Sequence, residues 1–206
     1  MNILYEIGKF LLRVIFLTTF DFRLYGQGNV PKTGGILIAA NHQSFLDPIL
    51  LGIGFPRTIR FMARQSLFKN PLFGAIIRGV GVFPVSRGRV DRQAIRKAVE
   101  LLDSGEVILM FPEGTRSHDG SLGQIRNGPI MIAARSEVPI VPMVVEGTFC
   151  VWPRHRRFPR MGRVRACIGQ PITQEEISTL SRAELASVLR ERLLGLQQKL
   201  QNMPRS

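Results

Sequence analysis

The chain has 206 residues, 45% of them hydrophobic, enough for one sizeable core and a single domain. Its formal net charge is +13, from 28 Lys and Arg against 15 Asp and Glu, which favours polyanionic partners: nucleic acid, an anionic membrane or a phosphorylated substrate. Its two cysteines, Cys150 and Cys167, set aside a disulfide framework and point to a reducing compartment.

The first twenty residues, MNILYEIGKFLLRVIFLTTF, are strongly apolar, yet Glu6, Lys9 and Arg13 recur at spacings of three and four. On a helix those charges share one face and leave Ile3, Leu4, Ile7, Leu11, Leu12, Val14, Ile15 and Phe16 around the rest. A spanning helix needs about 20 apolar residues with few charges, and the longest uncharged run here is VIFLTTF. DFRLYG follows instead of a small-residue cleavage site, so a signal peptide does not fit. Residues 1–22 are therefore expected to form an amphipathic helix lying in a membrane interface. The alternative is a helix that packs its wide apolar face on the domain itself.

A turn-rich stretch, GQGNVPKTGG, precedes ILIAAN, which reads as a buried strand. DPILLGIGF predicts a helix with Asp47 as its N-cap and Pro48 just inside. TIRFMAR is a second strand, SLFKNPLFGAIIRGVG a short apolar helix pair broken at Pro71, and VFPVSR a third strand. Residues 91–104 form the strongest predicted helix: Asp91 caps it, Ala94, Ile95, Ala98, Leu101 and Leu102 make its stripe, and Gly105 ends it. EVILMF is a fourth strand, a helix is expected near 126–136, VPIVPMVV is a fifth strand and RVRACIGQPI a sixth. Pro142 marks the fifth as an edge or irregular strand. Residues 181–201 close the chain as an amphipathic helix. Alternating strands and helices predict an α/β domain, with a mixed, largely parallel sheet flanked by helices and preceded by the amphipathic helix.

Four stretches carry chemistry. In NHQSFLDP, 41–48, His42 follows a strand end, the edge where ligands bind in open α/β sheets. Asp47 lies five residues on, and on a helix the two would point roughly 140° apart, so the turn must curl back if they are to meet. If they meet, the carboxylate fixes the ring tautomer and frees the other nitrogen to take a proton. A surface turn capped by Asp47 explains the same residues. No G-x-S-x-G elbow surrounds Ser44, and one His with one Asp is too few ligands for a metal. FPEGTRS, 111–117, places Glu113, Gly114, Thr115 and Arg116 on one loop, able to hold a phosphate through Arg116 and backbone N–H groups. A plain Pro-Glu-Gly turn is the alternative. GVGVFPVSRGR carries Arg87 and Arg89 at another strand end, and VPIVPMVVEG carries two prolines.

Taken together and in this order, the four stretches resemble the blocks of the glycerolipid acyltransferase family, in particular bacterial 1-acyl-sn-glycerol-3-phosphate acyltransferases (lysophosphatidic acid acyltransferases). NHQSFLDP matches the family's His-x-x-x-x-Asp block. GVFPVSR looks like its second block, FPEGTRS its third and VPIVPMVVEG its fourth, and the likeness covers roughly residues 28–172. The resemblance implies acyl transfer from acyl-CoA or acyl carrier protein to a glycerolipid hydroxyl, with the co-substrate thioester in place of any metal or redox cofactor. It implies that His42 is the general base and Asp47 its orienting partner. It assigns Glu113, Gly114, Thr115 and Arg116, with Arg87 and Arg126, to the acceptor's glycerol phosphate. Many relatives carry two basic residues before the next glycine, whereas IRNG keeps Arg126 and has Asn127 in the other place. The acyltransferase domain would span 23–206, with its core motifs over 41–147.

A protein acting on lipid needs contact with a bilayer. Besides the N-terminal helix, CVWPRHRRFPRMGRVR, 150–165, holds six arginines with Trp152 and Phe158. Trp152, Arg154, Arg156, Arg157, Phe158 and Arg160 are expected at a membrane interface, where each basic residue contributes about 1 kcal/mol. Pro153 and Pro159 predict an irregular loop. The same loop could bind single-stranded nucleic acid, although one Trp and two Tyr are a poor stacking inventory and nucleic acid is not the expected partner. A plain solvated basic loop is the third reading. The apolar stretch 66–83 is a candidate lining for an acyl groove, and core packing explains it equally. The expected place of work is the cytoplasmic face of the cell's inner membrane, peripheral or monotopic.

Overall fold

The computed structural model describes residues 3–79, 81–85 and 91–204. In chain order the elements are α1 (Ile3–Phe20), β1 (Phe22–Tyr25), β2 (Ile36–Ala40), α2 (Asp47–Gly54), β3 (Ile59–Arg64), α3 (Pro71–Gly79), β4 (Val82–Val85), α4 (Arg92–Asp103) and β5 (Val107–Met110). There follow α5 (Asn127–Ser136), β6 (Ile140–Glu146), α6 (Thr148–Val151), β7 (Val164–Ile168), α7 (Gln174–Thr179) and α8 (Arg182–Asn202). The seven strands form one sheet in the order β1-β7-β6-β2-β5-β3-β4, and every neighbouring pair is parallel except β6–β7. The mixed, largely parallel sheet read from the sequence is what is found.

Strand periodicity divides the core. Ile36, Ile38 and Ala40 of β2 face a cluster with Leu50, Leu51 and Ile53 of α2 and Phe20 of α1. Leu37 and Ala39 face the opposite cluster with α4, α5, α7 and α8, where Ala98, Leu102, Ile130, Leu189 and Leu193 are buried. Each fully buried large apolar side chain contributes about 1.5–3 kcal/mol, so a strand apolar on both faces is stable only when both are covered. The helices on the two sides do that.

Several boundaries differ from the sequence reading. Asp47 is the first residue of α2 and not its N-cap; Leu46 holds the cap position, and the Asp47 carboxylate turns back on the preceding loop. Of the two alternatives for Pro142, the irregular strand is found and the edge is not: β6 lies inside the sheet. The proline sits where the Ile140–Ile172 bridge and the Met143–Ile168 pair are out of phase by one residue, so its missing N–H falls at a break in the ladder with β7. β1, α6 and α7 are too short to show a periodic pattern. α4 keeps its predicted cap, with the Asp91 side chain accepting from the Ala94 N–H.

Among the described residues no helix is long and apolar enough to cross a membrane. On α1, Ile7, Phe10, Leu11, Val14 and Ile15 are exposed, as is Arg13, and Phe20 enters the core. The side chains of Ile3, Leu4, Glu6, Lys9, Leu12 and Phe16 lie outside those described. In the stretch read as a candidate acyl-groove lining, Leu67, Leu72, Phe73 and Ile76 stand exposed.

Candidate active site

The carboxyl ends of β2 and β5 lie side by side, because Ala39 pairs with Met110. The first and third sequence blocks therefore leave the sheet as neighbours. Asn41 extends β2 by one more step: its side chain donates to the Val145 carbonyl at 2.9 Å and accepts from the Val145 N–H at 2.7 Å. That pairing fixes where the chain turns off the strand and presents His42.

The turn does curl back. The His42 Nδ1 lies 2.8 Å from the Asp47 Oδ2, and the same oxygen accepts from the backbone N–H groups of Gln43 and Ser44 at 2.6 and 2.7 Å. An oxygen already accepting from two peptide N–H groups accepts from the ring as well, so Nδ1 carries the hydrogen and Nε2 keeps its lone pair. Nε2 has no protein partner among the described residues. Asp47 is fully buried, and its Oδ1 has no hydrogen-bond partner there. The Phe111 ring stacks on the imidazole, with centroids 3.9 Å apart and planes 14° from parallel.

Glu113 is also buried, and both its oxygens are engaged by backbone. Oε1 accepts from the His42 N–H at 2.7 Å and Oε2 from the Gly123 N–H at 2.8 Å. Burial pushes this carboxyl up from its ordinary value, while the two N–H donors pull it back down. Leaving either N–H buried and unpaired would cost about 1–3 kcal/mol. The Ser117 N–H closes the other side of the turn by donating to the His42 carbonyl at 2.7 Å.

Beyond Glu113 the loop borders an open cleft of about 780 Å³, lined by residues 113, 115–119, 121 and 123–127. Thr115, Arg116 and Arg126 all lie on it. Gly114 has φ +69°, a conformation that favours glycine, and a Cβ there would crowd the Arg126 side chain at 3.0 Å. Arg126 is held by its own N–H on the Pro112 carbonyl at 2.8 Å and by Nε on the Glu113 carbonyl at 3.0 Å. Its two terminal nitrogens have no protein partner among the described residues and remain available to an anion. The Arg116 guanidinium packs over the Phe45 ring, 3.4 Å from its centre. Arg87, with Arg89, lies outside the described residues.

The basic loop is tied to the same edge. The Ser44 hydroxyl donates to the Trp152 carbonyl at 2.7 Å, and the Trp152 ring lies 5.5 Å from Phe45. Residues 153–163 form no helix or strand, as the two prolines predict. Trp152 is half-buried and its ring N–H donates to the Arg156 carbonyl. Arg154 reaches His118 on the cleft rim at 2.7 Å, Arg160 bonds the Cys150 carbonyl, and Arg157 lies over Phe158, which is 68% exposed. Arg156 is exposed.

The sequence pointed to His42, Asp47, Glu113 and Arg126, and the structure brings all four to one edge. It gave no role to Asn41, Phe111 or Gln43. Gln43 bonds the Gly120 carbonyl at 2.6 Å and the Thr148 hydroxyl at 3.5 Å. An amide beside a strand-end histidine is a usable signal; an aromatic ending an apolar strand gives none.

The family model described as Acyltransferase matches residues 21–146. A 1-acyl-sn-glycerol-3-phosphate acyltransferase of Bacillus subtilis is 29% identical, over 97% of this chain and the whole of that protein. Two others bearing that enzyme name are similar. The one from Saccharomyces cerevisiae is 31% identical over 84% of this chain and 59% of its own length. The chloroplastic LPAT1 of Arabidopsis thaliana is 32% identical over 81% of this chain, which spans about half of that protein. Among solved structures, the 1-acyl-sn-glycerophosphate (LPA) acyltransferase PlsC of Thermotoga maritima superposes with a TM-score of 0.84 at 29% identity, covering 98% of this chain and 81% of that one.

Proposed function

The chain belongs to the acyltransferase family and is an O-acyltransferase, and from that premise we propose that it acylates lysophosphatidic acid to phosphatidic acid. The observation that carries the reading is the His42–Asp47 contact beside the arginine-bearing cleft. His42 Nε2 takes the proton of the acceptor's free hydroxyl. The oxygen then bonds to the thioester carbonyl carbon, the C–S bond breaks, and the departing thiolate takes the proton back from the imidazolium. Asp47 holds the tautomer and favours the charged ring as it forms. No residue of the chain becomes acylated.

Gly114, Thr115, Arg116 and Arg126 receive the glycerol phosphate, and Arg87 supplies a further cation. The donor is acyl-CoA or acyl carrier protein; both carry a phosphopantetheine thioester, and the arginine-rich surface suits either. Membrane contact is through α1 and the loop bearing Trp152, Arg154, Arg156, Arg157, Phe158 and Arg160, on the cytoplasmic face of the inner membrane. Exposed Ile7, Phe10 and Leu11 on α1 and exposed Phe158 support the membrane contact.

The test is transfer of a radiolabelled acyl group from each donor to lysophosphatidic acid, with glycerol-3-phosphate and other lyso-lipids as competitors. Wild type should form phosphatidic acid, and a folded His42→Ala variant should lose about 10²- to 10⁴-fold in kcat. Transfer to no acceptor, together with salt-sensitive binding of single-stranded nucleic acid, would overturn the reading in favour of a basic binding protein.

A further inference from the structure

The resemblance assigns Glu113, Gly114, Thr115 and Arg116 alike to the acceptor, but the segment 111–117 that carries them makes two kinds of contact. Phe111 and Glu113 both face His42, one through its ring and one through the peptide N–H. Ser117, at the far end of the block, holds the His42 carbonyl. The catalytic turn is thus gripped on its ring face, its N–H and its C=O by the segment 111–117, while Asp47 holds Nδ1 from within the turn. Glu113 and Ser117 border the cleft as well, but both hydrogen-bond to the His42 turn. Thr115, Arg116 and Arg126 line the cleft, and among the described residues Thr115 and Arg126 make no hydrogen bond to that turn.

Glu113 is poorly suited to be a ligand of the acceptor. Each oxygen already accepts a short bond from a backbone N–H, and the residue is only 5% exposed. A carboxylate would also repel a phosphate bound beside Arg126. What its two bonds do accomplish is to join the His42 turn to residue 123 on the cleft rim. Gly123 permits this approach, since a Cβ there would lie 2.8 Å from the Glu113 Oε2.

We propose that Glu113 and Phe111 are positioning residues for His42, and that acceptor recognition in this block belongs to Thr115 and Arg116 together with Arg126. The inference rests on the reading of His42 as the base. Glu113 sets where the ring stands relative to the hydroxyl, and Phe111 sets the plane of the ring. A base displaced by a fraction of an ångström loses rate without losing substrate, so the signature is in kcat and not in KM.

The experiment compares wild type with Glu113→Gln, Phe111→Leu and His42→Ala, using the thioester donor that supports wild-type turnover and lysophosphatidic acid in mixed micelles. Gln can accept through one atom only, so one of the two backbone N–H groups loses its partner. Glu113→Gln should lower kcat by about 10-fold or more with the KM for lysophosphatidic acid within about 2-fold of wild type. The Nδ1–H proton resonance of His42 should shift in the same variant, which a general loss of stability would not produce. Phe111→Leu should show the same split, and it carries the test if Glu113→Gln does not fold. A raised KM with kcat retained, or no change in either parameter, would overturn the inference. His42→Ala separates the two readings: activity kept there sinks the base assignment itself, whereas activity lost there with a KM effect in Glu113→Gln sinks only the positioning role.

Discussion

The two halves of the carboxyl edge are built on opposite plans. Around His42 the turn is closed: Nδ1, the peptide N–H and the peptide carbonyl each have a protein partner within 2.8 Å, and Nε2 is left without one among the described residues. Around Arg126 the arrangement is open: the backbone and Nε are fixed, and the terminal nitrogens face a cleft of about 780 Å³. The difference follows from what each part does. A base must stand in one place before the substrate arrives, whereas a phosphate site must leave its donors unsatisfied until the phosphate satisfies them. The contrast predicts that damage on the closed side appears in kcat and damage on the open side in KM.

The largest effect should come from Asp47→Asn. Asparagine can present its carbonyl oxygen to Nδ1 and the two peptide N–H groups, but it brings no charge to stabilise the imidazolium. Its amide would fall where Asp47 Oδ1 has no partner, leaving a buried donor unmet. We expect kcat to fall about 10²- to 10⁴-fold with little change in acceptor KM. Retained turnover would break the comparison, because the closed side would then not be preorganised for proton transfer.

Arg126→Ala tests the open side. A charge-assisted pair with phosphate is worth about 1.5–3 kcal/mol, so KM for lysophosphatidic acid should rise about 10- to 100-fold with kcat changed little. An uncharged acceptor analogue should be used by wild type and variant alike. Equal losses in kcat would mean that Arg126 acts through its bond to the Glu113 carbonyl and not on the ligand.

This asymmetry also explains what the sequence made legible. Strands buried on both faces, such as ILIAA and VILM, announce themselves as apolar runs, and the Asp91 cap and the stripe of α4 are local signals. The His42–Asp47 contact could be named only as a pair that must curl back, since the curl depends on the N–H groups of Gln43 and Ser44, which every sequence possesses. Glu113 was legible as a charged residue on a loop, but not its two backbone partners, one of them 71 positions away. Pro142 announces an edge or irregular strand without saying which, because the ladder break that accommodates it is made with residues 168–172 of another segment. Contacts set by backbone atoms at long range leave no residue pattern to read.

The smallest predicted effect lies on the cleft rim. The Asp119 Oδ1 accepts from the Ser117 hydroxyl and from both the N–H and the hydroxyl of Ser121. The Ser121 hydroxyl above all, then its N–H, pulls this carboxyl down to about 2 from its ordinary 3.8. A folded-state value below the unfolded one means that the ionised form stabilises the fold above pH 3.8, and that this contribution fades as pH falls towards 2. Asp119 is solvent-exposed, so Asp119→Asn should lower Tm at pH 7 by no more than about 2 °C. Melts of both proteins should converge as pH drops below about 4. A larger, pH-independent gap would mean that the rim is braced as tightly as the His42 turn, and the division between a closed catalytic side and an open binding side would lose its basis.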